Sequence, residues 1–461
     1  MFQKVLIANR GDVALRIART CRELEIPCVA VYSTADRGAA VTDLAEESVH
    51  IGPSPASRSY LSMPALIEAA RATGADAIHP GYGFLSEDPD FAEVCTASGI
   101  VFVGPAPEVL QVLGDKAAAR ALMRTAGLPM LPGSTEPVAD EADGLRTAAR
   151  VGYPVIVKAV AGGGGKGMAV ARDPAELVRA IQATSATAQA LYADGRVYLE
   201  RYLPAARHIE IQVLRDRYGT AVHLGERDCS VQRRHQKLVE ETPAAGLPDS
   251  VRTAICAAAL DGVRAAGLVG AGTVEFLLDG ADRFYFMEVN ARLQVEHAVT
   301  EMVTGIDIVE EQLRLAAGEP LRWRQEDIRR TGAAVECRLN AEDPDRDFLP
   351  TPGRLELVRL PGGPFTRVDS HAFPGWSASA DYDSLLGKVV AWGPDRAAAL
   401  ARARRALAEV RIEGHGLRHT RDFLLAVLAD GEFRAGTHTT GLVDRLLSRE
   451  HSTVPAASMT G

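Results

Sequence analysis

Residues 287–297, MEVNARLQVEH, alternate without a break. Met287, Val289, Ala291, Leu293 and Val295 are apolar, and Glu288, Asn290, Arg292, Gln294 and Glu296 stand between them. A period of two puts the polar set on one face of an extended segment. A solvated strand face would show the same period, but such faces are usually built with Thr and Lys. This one holds two carboxylates, two amides and a guanidinium. Upstream, Glu275 is the lone acid of the apolar run GTVEFLL, and the turn sequence DGADR between the two runs predicts a hairpin. A four-residue loop at 280–283 would pair Leu278 with Tyr285 and set Glu275 opposite Glu288. Like charges facing across a ladder destabilise it unless something neutralises them. A divalent cation such as Mg²⁺, which favours hard oxygen ligands, would do so, with Asn290 adding a third oxygen. A one-residue slip would separate the faces, so this register is an assumption to be tested. From Glu288 to Glu296 a straight strand would span roughly 26 Å. The chain must therefore bend after about Asn290 if Arg292 and Glu296 are to reach the same cleft.

A glycine-rich stretch, KAVAGGGGKGMAV at 158–170, poses the second constraint. It is not a Walker A loop, because Gly167 rather than Ser or Thr follows Lys166. It is not a dinucleotide-binding turn either, because no helix starts at the glycines. YPVIVKAV before it and MAVA after it are strand-like, and a helix begins only at about Asp173. The loop is therefore read as a hairpin tip whose exposed N–H groups suit a lid over phosphates, with a surface linker as the plain alternative. The N-terminus reads as a βαβ unit, KVLIAN then DVALRIARTCREL then CVAVYS. Further strand-helix alternation makes a doubly wound domain to about residue 113. From about 130 to 202 a compact strand-rich segment carries the glycine loop, and from about 204 a larger α+β region follows.

The 461-residue length implies two or three domains. A formal charge of -9 argues against nucleic acid as the main partner. Six scattered cysteines with no C-x-x-C pair, and no recognisable leader, read as reduced thiols in a cytoplasmic protein. No apolar run approaches a membrane span.

Four lysines are candidates for anion contacts. Lys158 ends an apolar run, where an unpaired ammonium is costly and a bound phosphate would offset the cost. Lys116 opens the helix in GDKAAAR, where on local grounds alone it reads as a surface residue. Lys237 follows Arg233, Arg234 and His235 in ERDCSVQRRHQKLVEE, whose plain reading is a salt-bridged surface loop. Lys166 sits in the glycine tip. The segment HPGYGFLSE, 79–87, reads as an ordered loop of unassigned role.

The ordered set IANRGDVALRI, IHPGYGFLSE, GDK, GGGGKGM, HIEIQVL, ERDCSVQRRHQK, GTVEF, MEVNARLQVEH, VECRLNAEDP and YDSLLGK resembles biotin carboxylase, an ATP-grasp enzyme, over about residues 1–445. The glycine loop is shared by ATP-grasp enzymes generally, whereas RRHQK with RLQVEH is specific to biotin-dependent carboxylases. The fold class implied is α/β and α+β. Residues 1–113 would form an N-terminal Rossmann-like domain, 114–203 the linker helix and lid, and 204–330 the ATP-grasp core. Residues 331–446 would form the C-terminal biotin carboxylase domain and 447–461 a flexible tail. The resemblance assigns ATP contacts to Lys116, Lys158, Gly164, Gly165, Glu200, Arg201, Tyr202, Leu203, His208, Gln232, His235, Glu275 and Glu288. It assigns two Mg²⁺ or Mn²⁺ ions to Glu275, Glu288 and Asn290, and bicarbonate to Lys237, Arg292, Gln294 and the Val295 backbone. Glu296 would be the base that removes the bicarbonate proton, and Arg338 would face biotin and stabilise its enolate.

Departures from the family pattern are few. Ala161 replaces the first glycine of the usual run, and Ala298 stands where Pro is usual, which would loosen the chain after Glu296. THTTGL, 437–442, is more polar than the usual segment beside the adenine. The chain holds no Met-Lys dipeptide for biotin attachment. The expectation is therefore biotin borne on a separate carboxyl carrier protein, a separate carboxyltransferase, and a homodimer. Two rival readings share the lid and the acid pair: another ATP-grasp carboxylate-amine ligase, and a catalytically idle ATP-binding subunit. The ligase reading gives no reason for RLQVEH and Arg338, and an idle relative has no chemical need for Glu275, Glu288, Arg292, Glu296 and Lys237 together.

Overall fold

The computed structural model describes residues 1–134, 136–161 and 168–453. The glycines expected to close over phosphates, Gly164 and Gly165, lie outside them, as does Lys166.

The N-terminal unit is a five-stranded parallel sheet in the order β3-β2-β1-β4-β5, built from β1 Val5–Ile7, β2 Cys28–Ser33, β3 Glu47–Gly52, β4 Ala77–His79 and β5 Val101–Phe102. Between β1 and β2 runs α1, Gly11–Glu23. Its residues Val13, Ile17 and Cys21 recur at helical spacing and are buried together with Val5, Ile7 and Ala30. The alternate strand residues Leu6, Val29 and Ile78 bury on the other face, in a core that also contains Ile209, Ile211 and Phe276. Period-two side chains thus tie this sheet to the rest of the molecule.

The helix α2, Lys116–Thr125, leads to a small layer in which α3, Glu141–Val151, and α4, Pro174–Tyr192, pack on a three-stranded antiparallel sheet. The sheet runs β7-β6-β8, with β6 Val155–Ala159, β7 Met168–Ala171 and β8 Val197–Arg201. The expected hairpin at the glycine stretch is β6–β7, and Asp173 caps α4 by accepting from the Glu176 N–H. The segment is less purely β than its sequence suggests, because Leu177 and Ile181 of α4 are needed to cover Val155 and Val157.

An eight-stranded antiparallel sheet carries the remainder: β9 Arg207–Arg215, β10 Ala221–Arg233, β11 Gln236–Thr242, β12 Gly270–Leu278, β13 Phe284–Asn290, β14 Ala333–Asn340, β15 Thr366–Ser370 and β16 Leu385–Gly393. The order is β13-β12-β9-β10-β11-β14-β16-β15. The sheet continues unbroken across residue 330, because β11 pairs directly with β14. Helix α5, Asp249–Ala266, covers one face. Short α6, His297–Thr304, follows β13, and α7, Arg396–Glu409, packs on β14 and β16. The last helix, α8, runs Leu442–Thr453 and so takes in residues 447–453, which the sequence reading gave to the tail.

The β12–β13 hairpin differs from the expected register at its tip. Leu278 pairs with Phe284 rather than Tyr285, because Asp279 closes a turn one residue shorter, its N–H donating to the Arg283 carbonyl. It accepts through its backbone carbonyl from Asp282 N–H and through its side chain from the N–H groups of Ala281 and Arg283. A bulge then shifts the register between Phe276 and Glu275, and Glu275 comes to lie opposite Glu288 as expected. Phe276, fully buried against Phe284 and Phe286, anchors this arrangement. Phe276→Ala is expected to cost about 3–5 kcal/mol of stability, read as a lowered urea midpoint for the sheet.

Candidate active site

One face of the large sheet is apolar and the other is a row of charges. Ile209, Ile211, Val213, Val274 and Phe276 point into the core. On the opposite face Glu288, Glu275 and Glu210 stand in successive ladder positions across β13, β12 and β9, and Arg227 of β10 continues the row. Arg227 is completely buried. It donates from Nε to Glu210 (2.5 Å), from Nη1 to Gln212 (2.8 Å) and Thr300 (3.0 Å), and from Nη2 to Thr273 (3.2 Å).

The row meets at Lys237. Its ammonium donates to Glu296 at 2.5 Å, Glu210 at 2.6 Å and Glu275 at 3.0 Å, which uses all three of its donors. Burial works against its charge, but the three carboxylates outweigh burial and raise its pKa well above the ordinary value. The surface-loop reading of this region is therefore incorrect. Residues 221–242 form the β10–β11 hairpin, with Arg234 and His235 at its turn, both at positive φ. Arg233 and Arg234 pair with Asp347, which leaves Lys237, opposite Gln232 in the ladder, as the inward-facing cation.

Glu275 also accepts from Asn290 Nδ2 at 2.9 Å and Gln294 Nε2 at 3.4 Å, and His208 Nε2 lies 3.1 Å from it as an ion-pair neighbour. Burial pushes its carboxyl up, but Lys237 and His208 prevail and hold it below the carboxylate range. Glu288 is the opposite case, raised by burial and by the Glu275 charge. No described group donates a hydrogen bond to the Glu288 carboxylate. Two facing acids, one of them unserved, with an amide oxygen at Asn290 make a donor set that suits a hard divalent cation.

β13 ends at Asn290, where the bend was required. Glu87, in the loop that the sequence left without a role, makes the turn. It accepts from Ala291 N–H at 2.9 Å and from Arg292 Nε at 2.7 Å. The Arg292 fork then reaches Gln294 Oε1 and the Leu293 carbonyl (both 3.1 Å) and Asn290 Oδ1 (3.0 Å). The fully buried Lys388 on β16 donates to the Val295 carbonyl at 2.7 Å, while the Val295 N–H has no partner among the described residues. Glu296 precedes α6, and that helix forms with Ala298 buried in its first turn, so the absent proline does not prevent order here. Burial raises the Glu296 carboxyl, but Lys237, Arg338 and Arg227 together hold it well below its ordinary 4.5. Arg338 Nη2 lies 2.8 Å from Glu296 and 2.5 Å from Glu240.

A second cationic group flanks β6. Lys158 is buried and has a protein partner, Glu200 at 2.5 Å, which the sequence reading did not supply. Arg120 also contacts Glu200. Burial lowers the Lys158 pKa, and the neighbouring Lys116 and Arg120 charges lower it further. Lys158 and Arg120 on one carboxylate, with Lys116 close enough to act on Lys158, leave a positive excess that favours an anion. Arg201, exposed at the end of β8, and the half-buried Tyr202 and Leu203 form the connection to the large sheet, with Tyr202 N–H donating to Pro154. In the polar 437–442 segment, His438 is buried 3.6 Å from Asp228, so that polarity is matched inside the fold.

Three family models match the chain in order: the biotin carboxylase N-terminal domain at residues 1–110, the carbamoyl-phosphate synthase L chain ATP binding domain at 115–324, and the biotin carboxylase C-terminal domain at 336–445. The biotin carboxylase of Allochromatium vinosum is 51% identical over 451 residues, covering 97% of this chain and 99% of that protein. The chain belongs to the biotin carboxylases. The Pseudomonas aeruginosa member of the family is 54% identical over 415 residues, covering 90% and 92%. Among solved structures, the Campylobacter jejuni biotin carboxylase–β-γ-ATP complex superposes with a TM-score of 0.94 at 44% identity, covering 96% of this chain and 99% of that one. The biotin carboxylase domain dimer of Hydrogenobacter thermophilus 2-oxoglutarate carboxylase, a complex with MgADP, ADP and bicarbonate, gives 0.93 at 42% identity, covering 96% and 98%. The C-terminal match separates this chain from other ATP-grasp ligases.

Glu87, Glu210, Arg227, Glu240 and Lys388 escaped the sequence reading. Glu210 had a legible signal, since HIEIQV isolates an acid in an apolar run just as GTVEFLL does. The depressed Glu296 and Glu275 carboxyls fix the sign of an acid dependence. Their contribution to stability is present above their ordinary 4.5 and is lost as pH falls below it. Glu296→Gln should therefore flatten the acid side of the melting-temperature curve, measured from neutrality down to about pH 3.

Proposed function

We infer that this chain carries out the ATP- and bicarbonate-dependent carboxylation of biotin. The observation that carries the reading is the Lys237 ammonium, which joins the acid pair of the metal-type site to Glu296 within one set of hydrogen bonds.

ATP would lie between the lid layer and the large sheet. Lys116, Lys158 and His235 would face its phosphates, with Glu200, Arg201, Tyr202, Leu203, His208 and Gln232 lining the nucleotide side. Glu275, Glu288 and Asn290 would hold Mg²⁺ or Mn²⁺, which when bound neutralises charge on the phosphate oxygens. Bicarbonate would sit against Lys237, the Arg292 fork, Gln294 and the free Val295 N–H, a set of donors suited to a planar anion. Glu296, held ionised by its cationic neighbours, would take the bicarbonate proton as its oxygen attacks the γ-phosphorus. The products of that step are ADP and carboxyphosphate. Carboxyphosphate decomposes to CO₂ and phosphate, the phosphate removes the N1′ proton of biotin, and the nitrogen attacks CO₂. Arg338 would stabilise the enolate formed on biotin.

The biotin would be presented by a carboxyl carrier protein and its carboxyl group passed on by a carboxyltransferase, both as separate subunits, with this chain working as a homodimer in the cytoplasm. The near-complete coverage of relatives named simply biotin carboxylase supports this arrangement. No described helix is long and apolar enough to cross a membrane.

The test is incorporation of labelled bicarbonate into free biotin, dependent on ATP. Arg338→Lys keeps the charge between Glu240 and Glu296 but loses the guanidinium fork. It should lower biotin carboxylation by about 10²–10³-fold and leave ATP binding intact. Absence of biotin carboxylation by the unaltered protein would refute the reading.

A further inference from the structure

Glu240 on β11 and Glu336 on β14 face each other directly across the antiparallel ladder, and neither has any exposed surface. Apart from the Arg338–Glu240 ion pair at 2.5 Å, no described group hydrogen-bonds to their four carboxylate oxygens. The charged neighbours are Lys237 from β11, Arg338 from β14, Lys388 from β16 and Glu296 before α6. Lys237 already serves three other carboxylates, and Lys388 serves Val295 and Asp12. Two buried acids that face each other, with a guanidinium paired to Glu240 alone and Lys388 acting on Glu336 only through its charge, cannot both hold full charge cheaply. Burial is the main force pushing both carboxyls up, and for Glu336 the Glu240 charge adds to it.

We propose that Glu240 and Glu336 hold one proton between them and act as positioning residues for Arg338, setting how far its guanidinium is available to biotin. The proposal rests on the reading of Arg338 as the biotin-facing group. With the proton in place, Arg338 balances one negative charge from the pair and one from Glu296. When the proton leaves, a second charge behind Arg338 draws the guanidinium onto the pair and weakens its field toward the site. Biotin carboxylation then acquires an alkaline limit that ATP cleavage in the absence of biotin does not share. The linkage has a definite sign. A carboxyl raised in the folded protein costs stability as pH climbs from its ordinary 4.5 through the raised value.

Glu336→Gln, in the full-length chain, places an amide where the shared proton would be and leaves Glu240 paired to Arg338. At neutral pH it should carboxylate free biotin within about threefold of the unaltered protein. The unaltered protein should lose activity on the alkaline side by about tenfold per pH unit, as for one essential proton, and the variant should not. Melting curves without ligand should show the variant gaining on the unaltered protein as pH rises. Coincident alkaline limbs overturn the proposal, as do melting curves displaced by the same amount at every pH. If Glu336→Gln does not fold, Glu240→Gln is read by the same melting curves. Failure of both to fold also overturns it, since an amide should replace a protonated carboxyl without such loss. An unaltered protein that never carboxylates biotin would count against the functional reading, while the melting curves still judge the proton pair.

Discussion

Lys237 has three N–H donors, and each meets a different carboxylate: Glu210 from β9, Glu275 from β12 and Glu296 from the start of α6. Without that ammonium, the ladder row Glu288–Glu275–Glu210 would be three buried or half-buried acids side by side, with Arg227 the only cation in line among the described residues. Removing one partner from a buried ion network leaves uncompensated charge, which is strongly destabilising. The sheet therefore depends on the same contacts that organise its chemistry. Arg227, with donors to side chains on β9, β12 and α6, supports the row from beneath.

The site is assembled from all parts of the chain because the large sheet is continuous. Pairing of β11 with β14 brings Arg338 to Glu296, and β16 brings Lys388 to the Val295 carbonyl. The N-terminal unit reaches in twice. Glu87 turns the chain at Ala291 and Arg292, and Asp12 lies 3.3 Å from Lys388 while accepting from Tyr82 at 2.7 Å. Residues assigned by sequence to bicarbonate and to biotin are thus held by groups from both ends of the chain.

Local patterns made much of this legible. The isolated acid in GTVEFLL, the alternation after Met287 and the DGADR turn were enough to put Glu275 opposite Glu288, although the bulge that restores the register was not foreseeable. Period-two patterning says which face a residue takes, but not where a bulge takes up the residue that a tighter turn releases. Lys237 was misread on local grounds because its partners come from β9, β12 and α6, and charge runs next to acids look like surface. Lys158 was correctly seen as costly, yet its Glu200 partner lies on β8, which no local pattern links to it. Glu87 had no signal of its own, because its role exists only once the β13 end is placed beside its loop. Val295 and Arg338, and the bicarbonate role of Gln294, came from family resemblance rather than from spacing, and the structure brings them to the same place as the residues read from pattern.

The central claim is that one ammonium both neutralises the acid row and aligns the bicarbonate base. Its most direct measurement is bicarbonate-dependent ATP cleavage by Lys237→Gln, compared with nucleotide binding by the same protein. Glutamine is neutral and has two donors, so it cannot serve three carboxylates. The account predicts cleavage lowered by at least about 10²-fold, with a lower melting temperature and nucleotide binding kept within a few-fold. Cleavage and melting temperature both close to those of the unaltered protein would contradict it.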